Sequence, residues 1–204
     1  MPRIVAFGCS ITYGQGLPDC HVFDDTDTVS FKPGPNPSNH AWPNILAREL
    51  SLECVNNGIP GASNKEILLK VLDTEFMPDD IVVFLWSYTQ RSLVYENDHS
   101  IIKIVPSKFD TNKNFYVLHS EHDLIVQSIM DIHHANMFLL NKNIKVYNFY
   151  LDMLLSKATL FNIIPKITFI PIYLVRSDYA LDNMHPGIRS QEKLSQIILE
   201  HMQV

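Results

Sequence analysis

Five short apolar runs, separated by segments of helical periodicity, constrain the fold of this chain more than any other feature. The runs are residues 3–7, 52–56, 81–86, 144–149 and 167–174. They lack the strict alternation of half-exposed strands, which is typical of strands buried on both faces of a parallel sheet. The helical patterns are residues 42–50, 63–72, 124–140 and 186–201. This alternation predicts an α/β domain with a parallel sheet of about five strands.

Two of the predicted helices carry recognisable starting signals. Ser63 is a good N-cap, and Glu66 three residues later completes a capping box. Pro186 is the first residue of the last helical pattern, and proline is favoured at the first position of a helix. We therefore expect one helix to begin at Ser63 and another at Pro186.

Length and charge predict a single domain, residues 1–204, that binds neither nucleic acid nor a membrane. Segments 16–40 and 97–120 break the strand–helix pattern and are interpreted as loop excursions. The net charge is −6, from 16 basic and 22 acidic residues, without a Lys/Arg-rich run. That composition offers no surface for nucleic acid or anionic lipid, and no apolar stretch reaches the length of a membrane span.

The cysteines and the first residues favour a reduced compartment. The 3 cysteines are an odd number and lack the spacing of metal ligands. Met1-Pro2-Arg3 leads directly into the first apolar run, which is too short for a signal peptide. We expect a cytoplasmic protein; a virus-encoded or exported protein without a standard signal stays open as an alternative, and so does the oligomeric state.

Two short motifs at opposite ends of the chain together contain the groups of a catalytic triad. Residues 8–14, Gly-Cys-Ser-Ile-Thr-Tyr-Gly, follow the first predicted strand, and ligands of α/β proteins bind at that end of the strands. Near the other end, Asp182 precedes His185 by three residues. Ser10 as nucleophile, an imidazole base and a carboxylate that orients the base are the elements of serine catalysis.

The N-terminal motif resembles the first motif of the SGNH hydrolases, also called the GDSL-like family. In that family Gly-Asp-Ser follows the first strand and the serine is the nucleophile; here Cys9 replaces the aspartate. Residues 55–64, Val-Asn-Asn-Gly-Ile-Pro-Gly-Ala-Ser-Asn, resemble the second motif, whose glycine N–H belongs to the oxyanion hole. Gly61 aligns best with that glycine and Gly58 is the alternative. The N–H of Ser10 is a second donor to the hole.

The third motif of the family, Gly-x-Asn-Asp, is not recognisable in this chain. Residues 84–91 read Phe-Leu-Trp-Ser-Tyr-Thr-Gln-Arg, without the asparagine that completes the family's oxyanion hole. Ser87, Tyr88 and Thr89 are candidates to supply a hydroxyl instead, or the hole consists of two N–H groups. Because losing one donor costs roughly 3–4 kcal/mol of transition-state stabilisation, we expect a substitute donor or weak activity.

The resemblance, which includes Asp182 and His185 as the fourth motif, implies both a fold and an activity. The fold is three-layer α/β/α, flavodoxin-like, with strand order 2-1-3-4-5. The activity is that of a serine ester hydrolase that cleaves a small acyl ester, such as an O-acetyl group on a carbohydrate, through an acyl-enzyme. No cofactor or metal is implied, and the partner is a small-molecule or glycan acyl ester. Tyr13, Thr89 and Arg91 are candidate substrate contacts.

Other classes of protein fit parts of the pattern. A glycan- or partner-binding module of the same fold with weak turnover is favoured by the missing asparagine. A nucleotide-binding flavodoxin-like domain would need a Gly-rich phosphate loop, which residues 8–14 lack. Asp25 and Asp27 have the spacing of haloacid-dehalogenase-like phosphatases but follow no apolar strand, so we expect a solvated acidic loop. Four histidines without a clear third metal ligand are interpreted as solvated: His119, His122, His133 and His134.

Each motif residue also has a purely structural interpretation. Ser10 alone is compatible with an N-cap, Asp182 and His185 with capping of the last helix, and Gly61 with a turn. Cys9 is interpreted as a small buried apolar residue rather than a thiol nucleophile. Taken together, Ser10, Gly61, Asp182 and His185 occur in the order of the family's motifs, each at the end of a predicted strand. This joint pattern favours the hydrolase.

Overall fold

A computed structural model describes residues 2–22, 32–98, 100–106, 109–152, 155, 169–174 and 176–202. Its strands are β1 (Arg3–Gly8), β2 (Glu53–Gly58), β3 (Ile81–Trp86), β4 (Ser92–Tyr95), β5 (Ile101–Ile104), β6 (Lys145–Tyr150) and β7 (Phe169–Pro171). Its helices are α1 (Ser10–Tyr13), α2 (Trp42–Glu49), α3 (Asn64–Leu72), α4 (Phe109–Leu118), α5 (Glu121–Leu140) and α6 (Ile188–Met202). Asp25, Asp27 and the first two residues of the predicted strand 167–174 lie outside the described residues.

Five strands form one parallel sheet in the order β2-β1-β3-β6-β7. The central strands β1 and β3 are buried almost throughout, which explains why their sequences do not alternate. Helices cover both faces: α2 packs against α6, and α3 packs against α5. The predicted three-layer α/β/α architecture and the flavodoxin-like strand order are therefore confirmed.

The core of the sheet is an aromatic stack whose polar atoms are satisfied. Phe7 stacks on Phe84 with ring centroids 5.4 Å apart, and Phe84 stacks on Trp86 at 4.3 Å. The Trp86 indole N–H donates to Asn148 Oδ1 at 2.9 Å. Asn148 and Asn136 exchange side-chain hydrogen bonds of 2.8 and 3.1 Å. Pairing of this kind removes the penalty of burying polar atoms in the core.

The segment after β3 contains more regular structure than the predicted excursion over 97–120. β4 and β5 form an antiparallel hairpin outside the main sheet, and α4 follows it. Lys103 on β5 forms a 2.6 Å ion pair with Glu66 on α3, which ties the hairpin to the domain. Strands of only four residues, each with a single buried residue, carry too little hydrophobic pattern to be recognised in a sequence.

The last helix begins later than predicted, so the assignment of Pro186 to its first position is wrong. α6 starts at Ile188, and Pro186 instead forms an isolated antiparallel bridge with Tyr179. The helix is capped from a distance, because the Asp178 carboxylate accepts the backbone N–H groups of Arg189 and Ser190 at 3.0 and 2.9 Å. A cap that lies ten residues upstream leaves no local sequence signal.

The other helix starts follow local capping. The Ser63 hydroxyl accepts the N–H of Glu66 at 3.2 Å, as the capping motif predicted. The long helix α5 begins at Glu121, three residues before the predicted start, and Ser120 is its N-cap. Its first turn is polar and largely exposed, so the apolar periodicity begins only one turn later. Among the described helices, none has the length and apolar character needed to cross a membrane.

Candidate active site

The nucleophile candidate, Ser10, lies at the junction of β1 and α1, at the carboxyl end of β1. Cys9 is the N-cap residue of α1, but its side chain makes no capping bond, and Ser10 is the first helical residue. Ser10 is therefore not the N-cap that its sequence context allowed. Since the first N–H groups of a helix have no partner within the helix, the Ser10 N–H is available as a donor. The Cys9 side chain is 1% exposed, as expected for a small core residue.

Asp182 and His185 form a hydrogen-bonded pair in the loop before α6. Asp182 Oδ2 lies 2.6 Å from His185 Nδ1, and Asp182 Oδ1 accepts the backbone N–H groups of Met184 and His185, each at 3.0 Å. Asp182 is 1% exposed. Burial alone would raise the pKa of its carboxyl, but the two backbone N–H bonds and the imidazole outweigh burial and hold the pKa below its usual value. Asp182 is thus a carboxylate in the neutral pH range.

A glycine packs directly against this carboxylate. Gly16 has φ +82°, and a Cβ at this position would lie 2.5 Å from the Asp182 carboxyl carbon. The backbone of the same turn accepts the N–H of Leu181 at 2.9 Å. Only glycine combines this backbone conformation with this approach, so the turn that follows α1 fixes the loop that carries Asp182.

Asp182 and His185 do not cap the last helix. That task falls to Asp178, which accepts two N–H groups from the first turn of α6 and the Ser190 hydroxyl at 2.7 Å. Two aspartates four residues apart therefore have different partners. Asp178 holds a helix, whereas Asp182 holds an imidazole.

A cavity of about 610 Å³ brings the N-terminal and C-terminal motifs together. Its lining residues are Ser10, Gln15, Gly61, Tyr88, Gln90, Arg91, Val105, Pro106, Met184 and His185. Of the predicted site residues, the cavity therefore unites Ser10, Gly61, Tyr88, Arg91 and His185, with Asp182 behind the imidazole. Within the described residues no hydrogen bond joins Ser10 Oγ to His185, and such bonds are often long before a substrate is bound.

The two glycines of the second motif differ in whether their N–H groups are free. The Gly58 N–H donates to Asn56 Oδ1 at 2.9 Å, and Gly58 does not line the cavity. Gly61 lines the cavity, has φ +73°, and its N–H donates no hydrogen bond within the described part of the chain. Of the two candidates, Gly61 is the one that lines the cavity with an N–H unbonded within the described residues, which an oxyanion-hole donor requires.

The three hydroxyls after β3 are not equally available. Ser87 Oγ donates to Ala62 O at 2.6 Å, and Thr89 Oγ1 donates to Asp152 Oδ2 at 2.8 Å. Tyr88 lines the cavity, and no described residue accepts a hydrogen bond from its hydroxyl. Burial raises the pKa of Tyr88, so the phenol stays protonated and remains a donor.

Two predicted substrate contacts lie elsewhere. Tyr13 is buried, and its hydroxyl donates to Gly34 O at 2.6 Å, where it fastens the loop after α1. Thr89 is 1% exposed and lines a separate cavity between α5 and the hairpin. Neither residue lines the cavity of Ser10 and His185. Arg91 does, and it also lines the neighbouring cavity.

Five lining residues were missed in the sequence. Gln15 follows the first motif, Gln90 precedes Arg91, and Met184 stands beside His185, so their proximity to motif residues was a usable signal. Val105 and Pro106 follow β5 and reach the cavity because the hairpin turns the chain back. For these two no sequence signal existed.

The four histidines considered as metal ligands are not part of a metal site in the described part of the chain, where no group of three His, Cys, Asp or Glu residues could hold an ion. His119 instead stacks on Phe115, with ring centroids 4.3 Å apart, and pairs with Asp123 one turn later.

The comparisons with known proteins agree with the fold. No protein-family profile and no curated protein matches the sequence. Among solved structures, the acetyl xylan esterase Est2A of the rumen bacterium Butyrivibrio proteoclasticus is similar, with a TM-score of 0.66 and 13% identity. The similarity covers 99% of this chain, which spans 63% of the length of that enzyme.

Two further structures have the same fold. A carbohydrate esterase whose active site has divergent catalytic and non-catalytic binding functions gives a TM-score of 0.59 at 13% identity, over 99% of this chain and 68% of its own. A putative lipolytic protein of the G-D-S-L family from Desulfitobacterium hafniense gives 0.54 at 12% identity, over 97% and 98%. The chain therefore has the fold of the SGNH hydrolases, as its motifs predicted.

Proposed function

We propose that this protein is a serine ester hydrolase that removes a small acyl group, with Ser10, His185 and Asp182 as its triad. The observation that carries the proposal is the 2.6 Å pairing of a buried carboxylate with an imidazole that lines the same cavity as Ser10. The esterases of similar fold support the reaction class. An O-acetyl group on a carbohydrate is the substrate that these neighbours favour.

The reaction follows from the roles of the three side chains. Ser10 Oγ attacks the ester carbonyl carbon while His185 Nε2 accepts the hydroxyl proton. Asp182 keeps the other imidazole nitrogen protonated and stabilises the imidazolium. Collapse of the tetrahedral intermediate releases the alcohol, which receives the proton from His185. Water then attacks the acyl-enzyme by the same route and releases the acid.

The oxyanion hole of this proposal has three donors. The N–H groups of Ser10 and Gly61 are two of them, as in the family. Tyr88 supplies the third through its hydroxyl, in the place of the missing asparagine, because the hydroxyls of Ser87 and Thr89 are already bonded within the protein. A neutral phenol donates to a developing oxyanion as an amide does.

A fluorophosphonate is the direct test, because it reacts only with an activated serine. We expect intact mass to show one adduct on the wild type, none on Ser10→Ala, and a slower reaction on His185→Ala. Ser100→Ala, which changes an exposed serine, serves as the control and labels like the wild type. Labelling that is unchanged in Ser10→Ala, or absent where a known esterase reacts, contradicts the triad.

The alternative function is a binding module of the same fold with little turnover. It is favoured by the missing third-motif asparagine and by the absence of a hydrogen bond between Ser10 and His185 in the described part of the chain. A carbohydrate esterase of similar fold already has non-catalytic binding functions. An unlabelled protein that still binds acetylated glycans would establish this alternative.

A further inference from the structure

Arg91 stands out among the residues of the cavity because it is the lining side chain with a fixed charge. The lining contains no lysine, aspartate or glutamate among the described residues, and His185 is its only other ionisable base. The chain as a whole carries an excess of acidic residues, at −6. The lining therefore has a fixed positive charge at Arg91, whereas the chain as a whole is negatively charged.

The guanidinium of Arg91 has no carboxylate partner in the part of the chain that the structure describes. By contrast, Arg3 and Lys103 are paired with Asp80 and Glu66 at 2.7 and 2.6 Å. Arg91 makes its hydrogen bonds through Nη1 alone, to two neutral oxygens at 3.2 and 3.5 Å. Among the described residues, Nε and Nη2 have no acceptor, so a large part of its donor capacity is unused.

Arg91 is nevertheless held in place. Its backbone N–H donates to Tyr88 O at 3.1 Å, and its guanidinium lies over the Tyr88 ring, 5.1 Å from the centroid. The two acceptors of Nη1 are Ser87 Oγ and Ala62 O, and these are bonded to each other at 2.6 Å. A positioned guanidinium with free donors matches the two oxygens of a carboxylate, and little side-chain entropy is lost on binding.

We propose that Arg91 binds a carboxylate of the substrate, so that this protein acts on acyl esters that carry an anionic group. The proposal rests on the ester hydrolase function and adds the class of substrate. The carboxylate belongs to one of two sources: the acyl group, as in a succinyl ester, or the alcohol, as in an acetylated acidic sugar. Both place a negative charge beside a neutral ester bond.

Two matched substrate pairs test the proposal and separate the sources. The first pair is p-nitrophenyl acetate and mono-p-nitrophenyl succinate; the second is methyl O-acetyl glucoside and methyl O-acetyl glucuronide. For one pair, we expect kcat/KM to be about 10- to 100-fold higher for the anionic member, as for a hydrogen bond to a charged group. The pair that shows the preference identifies which part of the substrate carries the charge.

Three variants show whether Arg91 is the cause. Arg91→Gln should abolish the preference, and Arg91→Lys, which keeps the charge without the planar fork, should retain part of it. Arg176→Gln is the matched control: Arg176 is exposed and also acts on Tyr88 electrostatically, but it does not line the cavity. It should keep the preference to within about threefold. Thermal melts of all variants check that each is folded.

The outcomes are distinct. If Arg91→Gln lowers kcat/KM equally for both members of a pair, or if the wild type does not prefer the anionic member of either pair, the proposal is overturned. Arg91 then only supports the loop of Ala62. If Ser10 is not labelled and no ester is cleaved, the hydrolase function is contradicted, and a binding experiment then tests whether Arg91 recognises an anion. Calorimetry with succinate and methyl glucuronide then supports anion recognition if binding needs Arg91, and overturns it if neither compound binds.

Discussion

Two loops border the cavity, and they use polar side chains in opposite ways. In the loop before α6, Asp182 is fully satisfied by protein donors and thereby holds His185 at the cavity. In the loop after β3, the hydroxyls of Ser87 and Thr89 are themselves bonded within the protein: Thr89 donates to Asp152, and Ser87 donates to Ala62 O and accepts from Arg91, so neither hydroxyl is left to donate to a substrate. A polar residue near the cavity thus takes part in the chemistry only if its own side chain, or the side chain that it holds, keeps an atom free to meet the substrate.

The same criterion separates residues that the sequence cannot distinguish. Ser87, Tyr88 and Thr89 are three consecutive residues with hydroxyl groups. The hydroxyls of Ser87 and Thr89 donate hydrogen bonds to buried acceptors of the protein. Tyr88 is the one whose hydroxyl remains unbonded to the described residues. The comparison of the two loops therefore predicts which substitutions impair catalysis and which impair only stability.

The largest effect is expected in the loop before α6. Asp182→Asn should lower kcat by about 10⁴-fold, because an amide no longer fixes the imidazole tautomer or stabilises the imidazolium. Asp178→Asn, four residues earlier, is the matched control, since it removes the same charge from a helix cap. It should lower stability by about 1 kcal/mol and change kcat by less than about threefold.

Ester hydrolysis and urea unfolding of both variants measure this difference. Equal losses of activity in the two variants would mean that the whole loop, rather than the carboxylate behind His185, determines the activity. If the rate of labelling by the fluorophosphonate falls in Asp182→Asn but not in Asp178→Asn, the role of Asp182 as the partner of the base is supported more directly, because labelling needs the base but no substrate recognition.

An intermediate effect is expected in the loop after β3. Tyr88→Phe removes one oxyanion donor and should lower kcat by about 10²- to 10³-fold with little change in stability. Thr89→Val is its neighbour and control: it leaves Asp152 with one donor fewer and should cost about 1–3 kcal/mol of stability. Steady-state kinetics and unfolding curves separate the two. A Tyr88→Phe variant with unchanged kcat would show that the oxyanion hole consists of the two N–H groups alone.

The comparison also explains what the sequence could predict. The sheet followed from the apolar runs, because strands buried on both faces have a strong local pattern. Its strand order followed from the resemblance to the family. Asp182 and His185 were recognisable because both lie in one short motif. Tyr88 could not be chosen over Ser87 or Thr89, since the choice depends on Ala62 and Asp152, which are remote in sequence.

Contacts between residues remote in sequence also explain where the predictions of the fold were wrong. Pro186 has the local signature of a first helical residue, but its bridge to Tyr179 and the cap by Asp178 place the start of α6 at Ile188. The hairpin of β4 and β5 was not predicted for a related reason. Its strands are short, and it is held to α3 by the ion pair between Lys103 and Glu66, which are remote in sequence. Sequence patterns report burial along a segment, not contacts between segments.

The smallest expected effect concerns a carboxylate that lacks the donors of Asp182. Asp131 on α5 is half-buried, accepts no hydrogen bond from a described side chain, and burial raises its pKa to about 6, an effect that Lys65 only partly offsets. Between pH 4 and 6 the native state therefore holds a proton that the unfolded chain has lost, and this residue makes stability fall as the pH rises. Asp182, whose pKa is lowered, contributes stability above pH 4 that is lost on acidification.

Asp131→Asn should therefore stabilise the protein at pH 7 by about 1–2 kcal/mol, since a shift of two pKa units is worth about 3 kcal/mol before solvent screening. The gain should shrink as the pH falls from 6 to 4.5, because the wild-type carboxyl is then protonated as well. Urea unfolding of both proteins across this range isolates the titration, as the other acids cancel in the difference. A gain that is the same at every pH would mean that the amide packs better, and that hydrogen-bond donors are not what distinguishes the two aspartates.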